Sequence, residues 1–293
     1  MNLPRTGTEG RVVIVTGAGQ GLGREHALAL AAHGYRVVVN DIGDAERVAG
    51  EIRATGGTAV ASDGDASDWA YAGALIETAV AEFGTLDALV NNAGINRDRM
   101  LVTMSEQEWD EVLRVDLKGH FAPLRHAAAY WRQRAREGRP ASGRVVNTSS
   151  GAGLMGSVGQ GNYAAAKAGI AALTIVAAVE LARYGITVNA IAPSARTPMT
   201  EVVFAERMRL PRSGFDAVHP GNVSPLVAWL ASAESAGVTG RMFEVEGGVI
   251  AVADGWQHGP AITKDGRWEV AEIGGPLRDL LARAPAPADV YGA

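Results

Sequence analysis

The sequence predicts an α/β fold, a doubly wound and mainly parallel sheet of about seven strands in a single domain. Three observations carry that reading. Short β-branched runs alternate with helix-forming stretches along most of the chain. The strand candidates are continuously apolar, as strands covered on both faces are. A glycine-rich turn follows the first of them and opens a helix. Right-handed crossovers then place helices on both faces of the sheet.

Residues 11–16 (Arg-Val-Val-Ile-Val-Thr) form the first strand, and a helix over 23–33 stops at Gly34. Residues 35–40 make the second strand, 46–55 a helix halted by Gly56-Gly57, and 58–62 a weaker third strand. The spacing predicts a helix over 69–83 ending at Gly84, a strand over 86–90, a long helix over 106–129 and a strand over 144–148. An Ala-rich helix over 162–184 ends at Gly185, and a strand over 187–191, a helix over 224–233 and a strand over 242–245 complete the set. Residues 132–144 read as a solvated, Arg-rich connection, and 284–293 as a loose tail. Residues 1–253 are thus one catalytic unit; 254–293 are an extension expected at a subunit interface or over the active-site mouth.

Composition narrows the function classes. A net charge of −5 argues against a nucleic-acid partner, which needs a basic face. With no cysteine in 293 residues, disulfides, thiol nucleophiles and iron–sulfur clusters are excluded. His26, His33, His120, His126, His219 and His258 show no metal-ligand spacing, so no metal is expected. His120 and His126, six apart, read as packing or surface groups, and the scattered tryptophans as packing anchors. The apolar stretch 168–179 is shorter than the roughly 20 residues of a spanning helix, so a buried or interface helix and no membrane partner are expected. A reducing, cytoplasmic setting is the default.

Residues 16–23 read Thr-Gly-Ala-Gly-Gln-Gly-Leu-Gly. The glycines Gly17, Gly21 and Gly23 are spaced G-x-x-x-G-x-G, with Gly19, Gln20 and Leu22 in the same loop. They permit a tight turn, close backbone approach, and a helix N-terminus that receives a pyrophosphate. Asp41 closes the second strand 20 residues after Gly21. A carboxylate there accepts from both ribose hydroxyls and repels a 2′-phosphate, so NAD is expected over NADP. Asp65, after the third strand, is placed at the adenine edge, with a plain loop acid as the alternative reading.

Tyr163 and Lys167 are four residues apart on the Ala-rich helix and therefore neighbours on one face. A cation beside a phenol favours the phenolate, which suits tyrosine for proton exchange near neutral pH. Ser149-Ser150 follow a strand end, where a hydroxyl reaches the same pocket.

Residues 16–23, 91–94, Ser150, Tyr163 with Lys167, and Pro193 with Thr197 together resemble the short-chain dehydrogenase/reductase family. The resemblance spans residues 10–248. It implies a Rossmann-type subunit, a homotetramer or dimer, moving hydride between nicotinamide and a carbonyl/alcohol pair. By that resemblance Tyr163 is the general acid/base, and Ser150 orients the carbonyl. Lys167 binds the nicotinamide ribose and lowers the tyrosine pKa. Asn91 holds the cofactor strand, Thr197 contacts the carboxamide, and Ala93, Gly94 and Pro193 fall in cofactor-binding segments.

A finer resemblance is to the (3R)-hydroxyacyl-CoA dehydrogenase domain of peroxisomal multifunctional enzymes type 2 and their stand-alone actinobacterial relatives. Its carriers are residues 37–41, 91–99, 159–163, 191–197 and 243–246. It implies a fatty or steroid side-chain acyl-CoA as the small-molecule substrate; a hydroxysteroid or another alcohol competes with it. One position departs from the family pattern: Asp116 stands where Asn is usual. A carboxylate there keeps Lys167 charged and offers a place to store a proton. A catalytically impaired cofactor-binding scaffold is the alternative that Asp116 raises; intact Ser150, Tyr163 and Lys167 favour the enzyme. Residues 197–225 are expected to form the substrate loop, with a short amphipathic helix over 201–210 that presents Val203, Phe204, Met208 and Leu210. Arg207, Arg209 and Arg212 meet either the phosphates of coenzyme A or, on the plainer reading, solvent.

Overall fold

The computed structural model describes residues 7–139, 142–203, 205–253, 255–286 and 288. Its first half runs β1 (Val12–Val15), α1 (Gly21–Ala32), β2 (Arg36–Asp41), α2 (Ala45–Ala54), β3 (Thr58–Asp63), α3 (Trp69–Phe83) and β4 (Ala88–Asn91). Then come α4 (Glu106–Val112), a π-helical turn (Leu113–Lys118), α5 (Gly119–Arg136) and β5 (Arg144–Thr148). The chain ends with α6 (Gly151–Met155), α7 (Gly161–Leu181), β6 (Thr187–Ser194), α8 (Pro198–Val203), α9 (Ser224–Leu230), β7 (Met242–Glu246), β8 (Val249–Ala253) and α10 (Val270–Arg283).

All eight strands lie in one sheet, in the order β3-β2-β1-β4-β5-β6-β7-β8. Pairing is parallel from β3 to β7. The continuous apolar runs follow from this. On β1, Val13 and Val15 enter one core with Leu30, Ile52 and Leu230, while Val12 and Ile14 enter the other with Leu75, Leu89 and Trp131. Alternate residues point to opposite faces, and helices cover both.

The structure departs from the sequence reading in four places. The sheet has an eighth strand, β8, folded back antiparallel on β7 so that Glu246 pairs with Val249 across Gly247-Gly248. A two-glycine loop suits such a hairpin because it tolerates positive φ, and Gly247 sits at φ 55°. The helix read over 106–129 is a rod interrupted by a π turn, and it continues to Arg136 because its arginines face solvent. The short helix expected over 201–210 is instead α8, Pro198–Val203. Pro198 opens it with a preset φ, and the chain then turns, burying Met208 and leaving Leu210 exposed. Phe204 lies outside the described residues. Finally, the extension contains α10, which buries no residue and exposes Val270, Ile273, Leu277 and Leu281.

The Ala-rich segment is a helix from Gly161 to Leu181 that continues as a 3-10 turn to Tyr184. It is thus longer than the apolar run suggested, and by length and composition it passes as a membrane span. Its place in the fold is a layer against β5, β6 and the π turn, with Ile170, Thr174 and Ala178 buried and Ile175, Val176 and Val179 exposed.

Trp131 is the largest fully buried side chain, and its indole donates to the Leu86 carbonyl at 2.7 Å. A side chain on Gly143 would meet its ring at 2.6 Å. Trp131→Ala leaves a cavity and an unpaired carbonyl, so a loss of about 3–5 kcal/mol in denaturant unfolding is expected. A loss below about 1 kcal/mol would contradict this packing.

Candidate active site

Two clusters meet at the C-terminal ends of the strands, where β1 and β4 diverge to opposite halves of the sheet. The first is the glycine turn after β1. The Thr16 hydroxyl accepts from the backbone N–H of Asn92 (3.0 Å) and Ala93 (3.2 Å), and the Asn92 amide donates back to the carbonyls of Thr16 and Gly17. This clasp brings the end of β4 against the turn. Gly17 has φ +62°, and a Cβ there would lie 2.7 Å from the Ala93 Cα. A Cβ on Gly23 would lie 2.1 Å from the Gly17 carbonyl oxygen. Neither position admits a side chain without moving backbone.

Helix α1 starts at Gly21, and Gln20 caps it without a side-chain hydrogen bond. Its first turn holds no acidic residue, so its N–H groups are open to an anion. Leu22 is half-buried in that turn. Asp41 ends β2, and its carboxylate accepts from the Gly19 N–H at 2.8 Å. Thr197 reaches the same turn, since a side-chain carbon at Gly21 would touch its methyl at 3.5 Å. Asp65 follows β3 and has partners within the chain. It accepts from the Ser67 N–H (2.8 Å) and hydroxyl (2.6 Å) and pairs with Arg114 at 2.5 Å. These partners hold its carboxyl below the usual range against the upward effect of its partial burial.

The second cluster surrounds Lys167. Its ammonium donates to the Thr148 carbonyl at 3.0 Å and lies 3.2 Å from Asp116 Oδ2. The two side chains are 3% and 0% exposed. Asp116 Oδ1 accepts from the Ile95 N–H at 2.8 Å, so one carboxylate ties the loop after β4 to helix α7. Gly94 fits between them; a Cβ there would lie 3.1 Å from Asp116 Oδ2 and 3.3 Å from Lys167 Nζ. Asn91 is buried and donates to the His120 carbonyl and to Asn147 Oδ1. The Tyr163 ring centre is 5.3 Å from the ammonium.

Burial is the largest single effect and works against the charge on Lys167, but the Asp116 carboxylate and the Tyr163 phenol together outweigh it and raise the lysine above its ordinary value. Burial likewise raises Asp116, with Lys167 and the Ile95 N–H pulling down. The expected lowering of Tyr163 is only part of the balance. Burial pushes the phenol up, Lys167 and the Ser150 hydroxyl pull it down, and Asp116 and Asp98 push it up again, so the net direction is upward.

Ser150 caps α6, accepting from the Ala152 N–H at 3.2 Å. Ser150, Tyr163 and Pro193 share a cavity of about 500 Å³ with Met155, Met199 and Val245 on its walls. Arg207 lies on this cavity and pairs with Glu246 at 2.7 Å; Arg209 pairs with Glu206, and Arg212 is exposed. Three residues of the site region carried no role in the sequence reading. Gln160 lines the cavity and donates to the Asp98 carboxylate at 3.0 Å. Arg196 pairs with Asp216 and donates to the Met208 carbonyl at 3.1 Å, which ties the segment after β6 back to its own start. His120 is fully buried behind Lys167. Gln160 and Arg196 fall in the segments 159–163 and 191–197 that carried the finer resemblance; no local pattern marked His120.

Comparison with known proteins agrees with this geometry. A family model described as short chain dehydrogenase matches residues 11–207. The chain is 48% identical over 287 residues to hydroxyacyl-CoA dehydrogenase ChsB1 of Mycobacterium tuberculosis, covering 94% of this chain and 90% of that protein. It is 43% identical over 254 residues to peroxisomal multifunctional enzyme type 2 of Mus musculus, covering 83% of this chain but only 32% of the mouse protein. A crystal structure of a short chain dehydrogenase from Mycobacterium avium superposes with a TM-score of 0.90 at 58% identity, covering 98% of this chain and all of that one.

A buried ion pair loses most when one partner alone is removed. Lys167→Met in the wild-type background is therefore expected to cost about 3–5 kcal/mol, and clearly less in an Asp116→Asn background. Denaturant unfolding of the four proteins in the cycle measures the coupling. Additive costs would mean that the two groups do not act as a pair.

Proposed function

Because the chain belongs to the short-chain dehydrogenase family, we propose that it is an NAD-dependent 3-hydroxyacyl-CoA dehydrogenase. The observation that carries the proposal is the Tyr163 phenol and Ser150 hydroxyl opening onto one cavity, with the Lys167–Asp116 pair directly behind the phenol. The hydroxyacyl-CoA assignment is supported by the identities with ChsB1 and the mouse multifunctional enzyme. Apolar walls from Met155, Met199 and Val245 suit an acyl or steroid side chain.

NAD is supported by two features of this chain. Asp41 stands where a carboxylate receives the adenosine ribose and rejects a 2′-phosphate. The uncapped start of α1 offers N–H donors to a pyrophosphate. Gly17, Gly19, Gln20, Gly21, Leu22 and Gly23 shape that turn. Asn92 and Ala93 brace it from the end of β4, with Asn91 and Gly94 in the same stretch; Thr197 reaches it at Gly21, and Pro193 lines the cavity. When bound, NAD would supply the hydride acceptor. Tyr163 takes the proton of the substrate hydroxyl, Ser150 holds the oxygen as it becomes a carbonyl, and Lys167 stabilises the phenolate. Because burial holds the phenol up, the ammonium is needed to make that proton removal accessible. Asp116 keeps the ammonium charged.

We read the subunit as a member of a cytoplasmic homo-oligomer, a tetramer or dimer. The exposed Ile175, Val176 and Val179 on α7 and the exposed apolar residues of β8 and α10 support an assembled state. The extension after residue 253 is assigned to the active-site mouth, since Ala288 lines the cavity.

NADH formation with a series of 3-hydroxyacyl-CoA thioesters and hydroxysteroids tests the assignment. Tyr163→Phe is expected to lower kcat by about 10²–10⁴-fold with little change in NAD affinity. Asp41→Ala is expected to weaken NAD and reduce discrimination against NADP. Turnover of hydroxysteroids but of no thioester would overturn the substrate, and equal use of NADP by the wild type would overturn the cofactor.

A further inference from the structure

The π turn changes which side chains of the α4–α5 rod face α7. Asp116 lies in the turn, and His120 lies in the first turn of α5 that follows it. Asp116 meets the Lys167 ammonium directly. His120 meets it through the backbone of one residue: its Nε2 accepts from the Thr148 N–H at 3.3 Å, and the Thr148 carbonyl, on the other side of the same Cα, accepts from Lys167 Nζ at 3.0 Å.

His120 is anchored at both ends. Its backbone carbonyl accepts from Asn91 Nδ2 at 3.1 Å, and the same amide donates to Asn147 Oδ1 at 3.0 Å. Asn147 Nδ2 in turn donates to Thr174 on α7 at 2.9 Å. His120, Asn91 and Asn147 are all 0% exposed. Burial first, and the Lys167 charge second, push the imidazole down to about 3, although neighbouring backbone groups act upward. The ring is therefore neutral at working pH. With Nε2 accepting, its proton sits on Nδ1, which finds no hydrogen-bond partner among the described residues. Such an arrangement costs stability that an apolar side chain of similar shape would not, so the acceptor at Nε2 calls for a function.

We infer that His120 is a positioning residue: its Nε2 holds the Thr148 N–H and so fixes the backbone of that residue at the end of β5, whose carbonyl sets the Lys167 ammonium at the distance from Tyr163 that proton removal requires. The inference rests on the reading that Tyr163 and Lys167 carry the proton chemistry. The other titratable groups acting on this centre are Asp116 from the π turn and Asp98 from the loop after β4. Neither touches the Thr148 peptide in the described contacts, so the His120 contribution is separable from theirs.

Two variants and one spectroscopic measurement test it. His120→Leu keeps bulk and removes the acceptor. His120→Gln places an amide oxygen near the position of Nε2. The pH profile of kcat is read with whichever secondary alcohol the wild type oxidises, so failure on thioesters counts against the substrate alone. In His120→Leu, kcat is expected to fall roughly ten-fold or more, and the pH of half-maximal oxidation to move upward. KM for the alcohol should stay within about two-fold, because His120 is not among the residues lining the cavity. His120→Gln should recover most of the lost kcat and the wild-type midpoint. Equal loss in both variants with an unmoved midpoint would mean packing alone and would overturn the inference. Should His120→Leu fail to fold, ¹⁵N NMR of the wild-type imidazole still decides. A neutral Nδ1–H tautomer that does not titrate between about pH 5 and 9 supports the inference, and an Nε2–H tautomer or a titrating ring overturns it.

Discussion

The charge on Lys167 sits where water cannot stabilise it, and a buried ammonium without a counter-charge is several kcal/mol unfavourable. Much of the surrounding structure answers that constraint. Asp116 supplies the opposite charge, and the Thr148 carbonyl at the end of β5 supplies an acceptor. The π turn brings Asp116 into reach, and Gly94 lets the loop after β4 pass close to both charges. Gly153 does the same for α6, because a Cβ there would lie 2.6 Å from Lys167 Cβ. The pair thus links four segments, and Tyr163 inherits its electrostatic setting from all of them.

The glycine turn solves a different problem at the same end of the sheet. Strand order reverses between β1 and β4, and the crevice opened there is where α/β sheets receive ligands. Thr16 closes the base of that crevice by accepting from two N–H groups of the β4 loop. The glycine turn and the Lys167 cluster therefore share one stretch, residues 91–95, which the Thr16 hydroxyl holds from one side and Asp116 from the other.

Local patterns in the sequence were enough for several features. Helix α3 and strand β5 lie where their periodicity and glycine stops place them. The glycine turn, Asp41 at the end of β2, and Tyr163 with Lys167 on one helix were legible because each depends on short-range spacing. What escaped depends on tertiary contact. A π turn adds a residue to the rod without a marker residue of its own, so residues 106–129 read as one uniform helix, and the arginines of the last turn of α5 read as a solvated connection. The six-residue gap between His120 and His126 excluded a metal motif but said nothing of what lies behind Lys167. Helix α10 contains Gly274, Gly275 and Pro276, which weigh against a helix by propensity. The hairpin of β7 and β8 did carry a signal, Gly247-Gly248 between apolar runs, that the expectation of seven strands overlooked. The effect of Lys167 on Tyr163 was read with the right sign, but burial and two carboxylates reverse the net direction.

The central claim, that Asp116 holds Lys167 charged inside the protein, can be read without an assay of turnover. The chain has three lysines, Lys118, Lys167 and Lys264, so ¹³C labelling at the lysine ε-carbon gives three resonances, assigned by substituting Lys118 and Lys264. The account predicts that Lys167 titrates above the ordinary lysine value in the wild type and falls below it in Asp116→Asn, where burial is opposed by the phenol alone. A Lys167 that titrates below the ordinary value in the wild type, or whose titration is unmoved by Asp116→Asn, would contradict it.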